Sequence, residues 1–240
     1  MTDSEPASDP VVACVIVAAG RGERFGHGGK VLASCGGRPL LAWSLDALEA
    51  AARVRDVVVV YGAHTEAEIR SLTDCGDWPK VRTLVQGGAS RHESVQAGMT
   101  ALAPDVQVVL VHDAARPLAE PAHYDAVAEL AASDGAAILA TPVADTLKQV
   151  IDGTIVATIP RAGMWAAQTP QGFRLDAYRE ALVRTAGHEA EFTDDASMFE
   201  ALGVPVRIVP GSRTNMKVTV PEDVLLIEAL LMKRLAGDAR

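Results

Sequence analysis

Five short runs, most of them Val-rich and nearly continuous in apolar residues, restrict the fold more than any other feature of the chain. They cover residues 11–19 (VVACVIVAA), 57–61, 81–86, 106–112 and 136–142. Between them lie longer Ala- and Leu-rich stretches of helical period at 39–52, 65–72, 91–103 and 121–132. A strand that is apolar on both faces is buried on both faces. Strands of that kind separated by helices predict a mostly parallel sheet with helices packed on each side. Right-handed crossovers then give a doubly wound α/β fold. The alternation stops after Pro142. Residues 145–159 read as two short strands around Asp152-Gly153, a hairpin turn pair, and predict an arm projecting from the sheet. Further on, the pattern predicts a helix over 175–185, a second starting near Asp194 and Asp195, strands over 204–209 and 216–220, and a C-terminal helix opened by Pro221.

Aromatic residues are only 4% of the chain, so the core must be built from Val, Leu, Ile and Ala. A net charge of −9 leaves no basic footprint for nucleic acid, though it allows a local basic pocket for a small anion. Cys14, Cys35 and Cys75 are odd in number and lack metal-ligand spacing, which predicts free thiols and a cytoplasmic setting. The longest apolar run is too short for a membrane span. Residues 1–10, MTDSEPASDP, have no basic region and read as a disordered tail rather than a signal peptide. Residues 11–240 are expected to form a single domain.

Several segments could carry chemistry. The first strand ends in AAGRGERFGHGGK (18–30), a glycine-rich loop holding Arg21, Arg24 and Lys30. Backbone amides there can cradle phosphates and three cations suit a triphosphate; a solvated loop is the plain alternative. The loop lacks both the G-x-G-x-x-G dinucleotide pattern and the G-K-[ST] ending of a P-loop. The fourth run ends in VHDAARP (111–117), placing Asp113 at the strand edge where open α/β sheets bind ligands. Asp113 is a candidate ligand for Mg²⁺, or a turn residue. Arg116 can fix that loop or an anion, and His112 reads as packed or hydrogen-bonded. The corner QGGASRHESVQAG (86–98) permits close backbone approach at Gly87-Gly88, with Ser90 or Ser94 as cap or contact. Arg161 and Lys217 are candidate phosphate contacts. Asp194 and Asp195 read either as a metal pair or as a helix cap with one solvated acid. Trp165 reads as packing.

The segments AAGRGERFG, GGASRHESV, VHDAARP, PRAGMWAAQTPQGF, TDDAS and NMKVTVPED, in this order, resemble the 2-C-methyl-D-erythritol 4-phosphate cytidylyltransferases. The resemblance spans Val11 to about Met232. It implies CTP and methylerythritol phosphate as substrates, pyrophosphate as a product and Mg²⁺ as cofactor. It implies triphosphate binding by Arg24 and Lys30, the metal at Asp113 and the α-phosphate at Lys217. Ala18, Ala19, Gly20, Gly88 and Ser94 would surround the cytidine, partly through backbone groups. Arg116, Thr146, Arg161 and Thr169 would handle the acceptor. It also implies a homodimer through the arm, so that Thr146 and Arg161 serve the neighbouring site. The chain departs from the family pattern at Gly29, usually Pro, and at Ala89, often Asp.

The chemistry expected of such residues needs no protein nucleophile, because the acceptor's phosphate oxygen is already anionic. Cations must shield two phosphates and align the attack. Three other readings stay open on the sequence. One is a ribitol 5-phosphate cytidylyltransferase. The second is a nicotinamide oxidoreductase, opposed by the broken fingerprint. The third is a non-catalytic nucleotide-binding module.

Overall fold

A computed structural model describes residues 9–20, 22, 25, 29–188 and 191–238. Residues 1–8 of the expected tail, and Arg21 and Arg24, lie outside the described residues. The chain opens with β1 (Val12–Ala18), followed by a 3₁₀ turn (Lys30–Leu32) and a small hairpin of β2 (Ser34–Cys35) and β3 (Arg38–Pro39). Next come α1 (Leu40–Ala50), β4 (Val54–Tyr61), α2 (Glu66–Cys75), β5 (Val81–Gln86), α3 (Arg91–Thr100), β6 (Val108–Asp113), α4 (Pro121–Asp134) and β7 (Ala136–Pro142). The arm is β8 (Leu147–Ile151) and β9 (Thr154–Ile159). The chain then returns through β10 (Trp165–Arg174), α5 (Leu175–Arg184), α6 (Asp195–Ala201), β11 (Arg207–Pro210) and α7 (Pro221–Asp238).

Seven strands form the main sheet in the order β11-β7-β10-β6-β1-β4-β5. Its neighbours are parallel except where β10 runs antiparallel to both β6 and β7. From β1 the chain builds outward through β4 and β5, then crosses to β6 on the other side of β1. That reversal is the topological switch point, where open α/β sheets leave a crevice at the carboxyl ends of their strands.

Alternation along β1 separates two cores. Cys14, Ile16 and Ala18 pack with Leu41, Leu45, Leu48, Tyr124 and Val127 from α1 and α4. Ala13 and Val15 pack on the opposite face with Val95 and Met99 of α3 and with Phe173, Tyr178 and Phe199. Three aromatic rings cluster here: Phe173 stacks on Phe199 with centroids 4.6 Å apart, and Tyr178 meets Phe173 edge-on at 5.3 Å. Gly98 lets α3 lie close to the sheet, since a Cβ there would sit 2.3 Å from a Val15 methyl.

β10 has no counterpart among the strands expected from the sequence. WAAQTPQGFR contains a proline, a glycine and two glutamines, and proline argues against a central strand. Here the pairing with β7 shifts register between Ala167 and Gln171, and the pairing with β6 begins only at Gln171. Pro170 therefore sits where the ladder needs no N–H. Gly172 is required by packing, because a Cβ would meet Leu110 and Val127 at 2.8 Å.

The segment expected as a strand over 216–220 forms none. Both edges of β6 are already taken by β1 and β10, so the segment's backbone joins the loop beyond β6 instead, with the Val218 N–H donating to the Ala115 carbonyl at 2.8 Å. The strand expected over 204–209 is shorter and later, beginning at Arg207, where pairing with β7 starts. Trp165, expected as packing, is 42% exposed at the arm's base. The arm itself is antiparallel as expected and turns through Asp152 at φ 47° and Gly153 at φ 74°, the left-handed pair a tight hairpin needs. Its strands pair only with each other, leaving Val150, Ile151, Ile155 and Val156 exposed. Among the described residues no helix is long and apolar enough to cross a membrane.

Candidate active site

The carboxyl ends of β6, β1, β4 and β5 open into one cleft of about 1020 Å³. Each strand delivers its end and a short corner to it: Val17, Ala19 and Gly20 at the end of β1, Gly62 and His64 after β4, Gln86 to Ser90 at the end of β5, and Asp113 and Ala115 at the end of β6. Lys30, Arg91, Ser94 and Lys217 also line it. Glycines admit close approach at the corners, and a Cβ on Gly87 would collide with Ser94 Oγ at 2.6 Å and with Ala19 at 2.7 Å. Gly29 enters the 3₁₀ turn at φ 74°, a backbone angle closed to proline.

The corner after β5 is stiffened from within. Ser90 caps α3, its Oγ accepting from the Glu93 N–H at 3.1 Å. The Glu93 carboxylate in turn accepts from the Ala89 N–H at 2.9 Å and the Ser90 hydroxyl at 3.2 Å. Ser94, buried beneath, donates its hydroxyl to the Ser90 carbonyl at 2.8 Å. Glu93 thus supplies an acid to a corner whose residue 89 is alanine.

Charge is concentrated at the end of β6. Asp113 Oδ2 accepts from Lys217 Nζ at 2.6 Å, and Asp113 Oδ1 faces Arg91 Nε at 3.4 Å. Burial alone would raise the Asp113 pKa, but Lys217 and Arg91 outweigh it and hold the carboxyl well below the usual range. Asp113 is therefore a fixed anion. The backbone that places Lys217 is tied on three sides. Arg116 donates to the Asn215 carbonyl at 2.8 Å, and Asn215 Nδ2 donates to the Thr169 carbonyl at 3.0 Å and to Gln168 Oε1 at 3.2 Å. The Thr169 hydroxyl accepts from the Asp113 N–H at 3.0 Å and lies 3.1 Å from His112 Nδ1. His112 is fully buried against Tyr124, and burial pushes its pKa down to about 3, so the ring is neutral.

The structure brings seven of the sequence-predicted residues to this cleft: Ala19, Gly20, Lys30, Gly88, Ser94, Asp113 and Lys217. Ala18 is adjacent in sequence, but its side chain is buried in the α1/α4 core. Arg116 and Thr169 stand behind the cleft, engaged with the loops that frame it. Thr146 and Arg161 lie apart at the arm's base; both are exposed, and Arg161 donates to the Ala144 carbonyl. Asp194 and Asp195 are no metal pair. Asp194 caps α6, accepting from the Ser197 N–H at 3.0 Å and from Gln171 Nε2 at 2.8 Å. Asp195, expected to be solvated if its neighbour capped the helix, is 3% exposed and pairs with Arg91 at 2.7 Å. Desolvation requires that partner, and the short spacing to the cap directs the side chain inward.

Sequence reasoning passed over Arg91 and His64. Arg91 carried a usable signal, because it follows the Ser cap at the first position of α3, where the helix dipole disfavours a cation. A cation in that place calls for nearby anions. Nothing in the local sequence marks His64, which enters the cleft only because β4 ends beside β1.

A doubly wound sheet with phosphate-compatible glycine corners, two lysines and a fixed acid at its switch point suits the binding of a nucleotide's phosphates. Comparison with known proteins narrows this. Residues 12–233 match the family model described as 2-C-methyl-D-erythritol 4-phosphate cytidylyltransferase, and the chain belongs to that family. A relative of that name from Pelotomaculum thermopropionicum is 42% identical over 93% of this chain and 95% of its own length. Another from Streptomyces avermitilis is 46% identical over 98% of each. Among solved structures, the 4-diphosphocytidyl-2C-methyl-D-erythritol synthase of Anaerococcus prevotii superposes with a TM-score of 0.83 at 27% identity, covering 94% of this chain and all of that one.

Proposed function

We propose that the chain transfers the cytidylyl group of CTP to 2-C-methyl-D-erythritol 4-phosphate, giving 4-diphosphocytidyl-2-C-methyl-D-erythritol and pyrophosphate on the non-mevalonate route to isoprenoids. The observation that carries this reading is the junction of Asp113, Lys217 and the glycine corners in one cleft of a chain from this family. Residues 11–240 act as one domain with 145–159 as its arm. Ala19, Gly20, Gly88 and Ser94 surround the cytidine, with Ala18 contributing backbone only. Arg24 and Lys30 take the triphosphate, and Lys217 takes the α-phosphate.

An acceptor phosphate oxygen attacks the α-phosphorus, and the bond from that phosphorus to the bridging oxygen of the β-phosphate breaks. The electron pair leaves with pyrophosphate, and because the attacking oxygen is already anionic no proton need be removed from it. Lysine charges lower the repulsion between the two phosphates and stabilise charge that builds in the transition state. The cleft's serine hydroxyls are committed to its own backbone and cap, which suits direct displacement over a covalent intermediate. No group of three or more His, Cys, Asp or Glu among the described residues could hold a metal by itself. One ionised carboxylate, Asp113, fits a divalent cation of the Mg²⁺ type, which takes one or two protein oxygens and completes its shell with phosphates and water. Such a cation neutralises phosphate charge when bound.

Arg116 and Thr169 serve the acceptor by holding the Asn215–Lys217 backbone and the Asp113 amide. Thr146 and Arg161 serve the acceptor bound to a second copy, reached by the arm in a homodimer. The arm's exposed Val150, Ile151, Ile155 and Val156 support this, since an uncovered two-stranded ribbon needs a partner. Three free cysteines fit a cytoplasmic setting. The test is pyrophosphate release from CTP and Mg²⁺ with methylerythritol phosphate and, separately, ribitol 5-phosphate. Release with the first acceptor is expected. Release only with ribitol 5-phosphate, or CTP binding without turnover on either, would overturn the proposal.

A further inference from the structure

Arg91 lies between two carboxylates and treats them unequally. Its Nη1 lies 2.7 Å from Asp195 Oδ2 as a close ion pair, whereas its Nε donates a longer hydrogen bond to Asp113 Oδ1 at 3.4 Å. A guanidinium facing one carboxylate favours two short parallel bonds. The short contact here goes away from the cleft, toward Asp195.

Asp195 is held where it cannot follow Arg91 into the cleft. Tyr178, fully buried among Phe173 and Phe199, donates its hydroxyl to Asp195 Oδ1 at 2.5 Å. The start of α6 is fastened to β10 through Gln171, which donates to Asp194 at 2.8 Å and accepts from the Ala196 N–H at 3.2 Å. Lys217 already takes the other Asp113 oxygen. If Arg91 closed on Asp113 as tightly as it pairs with Asp195, both oxygens would be held at short range by the protein's own cations.

We infer that Asp195 is a positioning residue that keeps the hold of Arg91 on Asp113 long and weak, so that the divalent cation accompanying the nucleotide can compete for that Asp113 oxygen. The inference rests on the assignment of the cation to Asp113 made above. Asp195 acts through Arg91 and touches no substrate.

The experiment measures the affinity of the full-length protein for α,β-methylene CTP by calorimetry, once with Mn²⁺ and once with EDTA. The ratio of the two affinities isolates the metal's contribution. Asp195→Asn is expected to reduce that ratio by at least roughly tenfold, the scale seen when a group orienting a metal ligand is removed. Arg91→Gln in the same chain is expected to restore it, and Arg91→Gln alone should leave the ratio equal to or above wild type. Tyr178→Phe removes a hydroxyl but keeps the ion pair, so it should lower thermal stability without changing the ratio. An unchanged ratio in Asp195→Asn, or a defect that Arg91→Gln does not relieve, overturns the inference. If Asp195→Asn does not fold, a reduced ratio in Arg91→Gln alone overturns it. Asp113→Asn is measured beside them: an unchanged ratio there removes the cation assignment itself, and this inference with it.

Discussion

Asp113→Asn separates the charge of this residue from its shape. The amide keeps a hydrogen-bond acceptor but no longer offsets Lys217 at 2.6 Å or Arg91 at 3.4 Å. Two unit charges about 4 Å apart attract by about 4 kcal/mol at an effective dielectric near 20. Lys217 and Arg91 have side chains 36% and 32% exposed, so water recovers much of that when the anion is removed. The expected net loss of stability is about 1–2 kcal/mol, between exposed and buried ion pairs. In the same variant the cleft carries one fewer negative charge, so CTP should bind more tightly in EDTA. With Mg²⁺ the order reverses: turnover falls by roughly 10² and more metal is needed to reach half-maximal rate. The stability difference also has a pH signature. The folded pKa lies below the unfolded value of 3.8, so the wild-type advantage is present above that pH and shrinks as pH falls below it. Calorimetry with and without metal, a metal titration of rate and thermal melts across pH check these points. Unchanged metal dependence together with an unchanged maximal rate would refute the reasoning.

Lys30→Ala should lower kcat by roughly 10²–10³ while the thermal midpoint stays near wild type, because the side chain lines the cleft and the loss is one charge acting on the transition state. His112→Asn should flatten the acid side of the stability profile. Folded His112 stays neutral down to about pH 3, whereas the unfolded ring gains its proton near 6.5. Between those values wild type loses up to about 1.4 kcal/mol per pH unit as pH falls. Urea melts at pH 6.5, 5.5 and 4.5 compare the slopes, and parallel profiles would contradict the assignment. Arg161→Glu chains mixed with Lys30→Ala chains should recover activity if the arm serves the neighbouring site, since one site in each mixed dimer then carries neither lesion. No recovery in verified mixed dimers would place Arg161 in its own subunit's chemistry or outside it.

Periodicity made the parallel half of the sheet legible, because burial on both faces forces continuous apolar runs such as VVACVIV and VVVVY. The Asp152-Gly153 turn was legible for a local reason, as few other pairs adopt two left-handed residues. β10 was hidden because its identity depends on a register shift that shelters Pro170, a property of its neighbours rather than of its own residues. The stretch around Lys217 looked like a strand because Met216, Val218 and Val220 alternate with polar residues; with both edges of β6 occupied, Val218 is buried by α7 and the loop beyond β6 instead. The charged site divides in the same way. Asp113 and Lys30 stand at strand and loop ends that the pattern predicts. The pairing of Arg91 with Asp195 joins two helices distant in sequence and follows from packing of the Phe173 cluster, which no local pattern encodes.

The central claim is that acceptor phosphate attacks CTP directly in this cleft, with no nucleophile from the protein. The stereochemical course at phosphorus tests it. With CTP carrying sulfur at a single stereoconfiguration on the α-phosphorus, and methylerythritol phosphate as acceptor, ³¹P NMR of the product should show inversion, the result of one in-line displacement. Retention would mean two displacements through a covalent enzyme intermediate and would contradict the account.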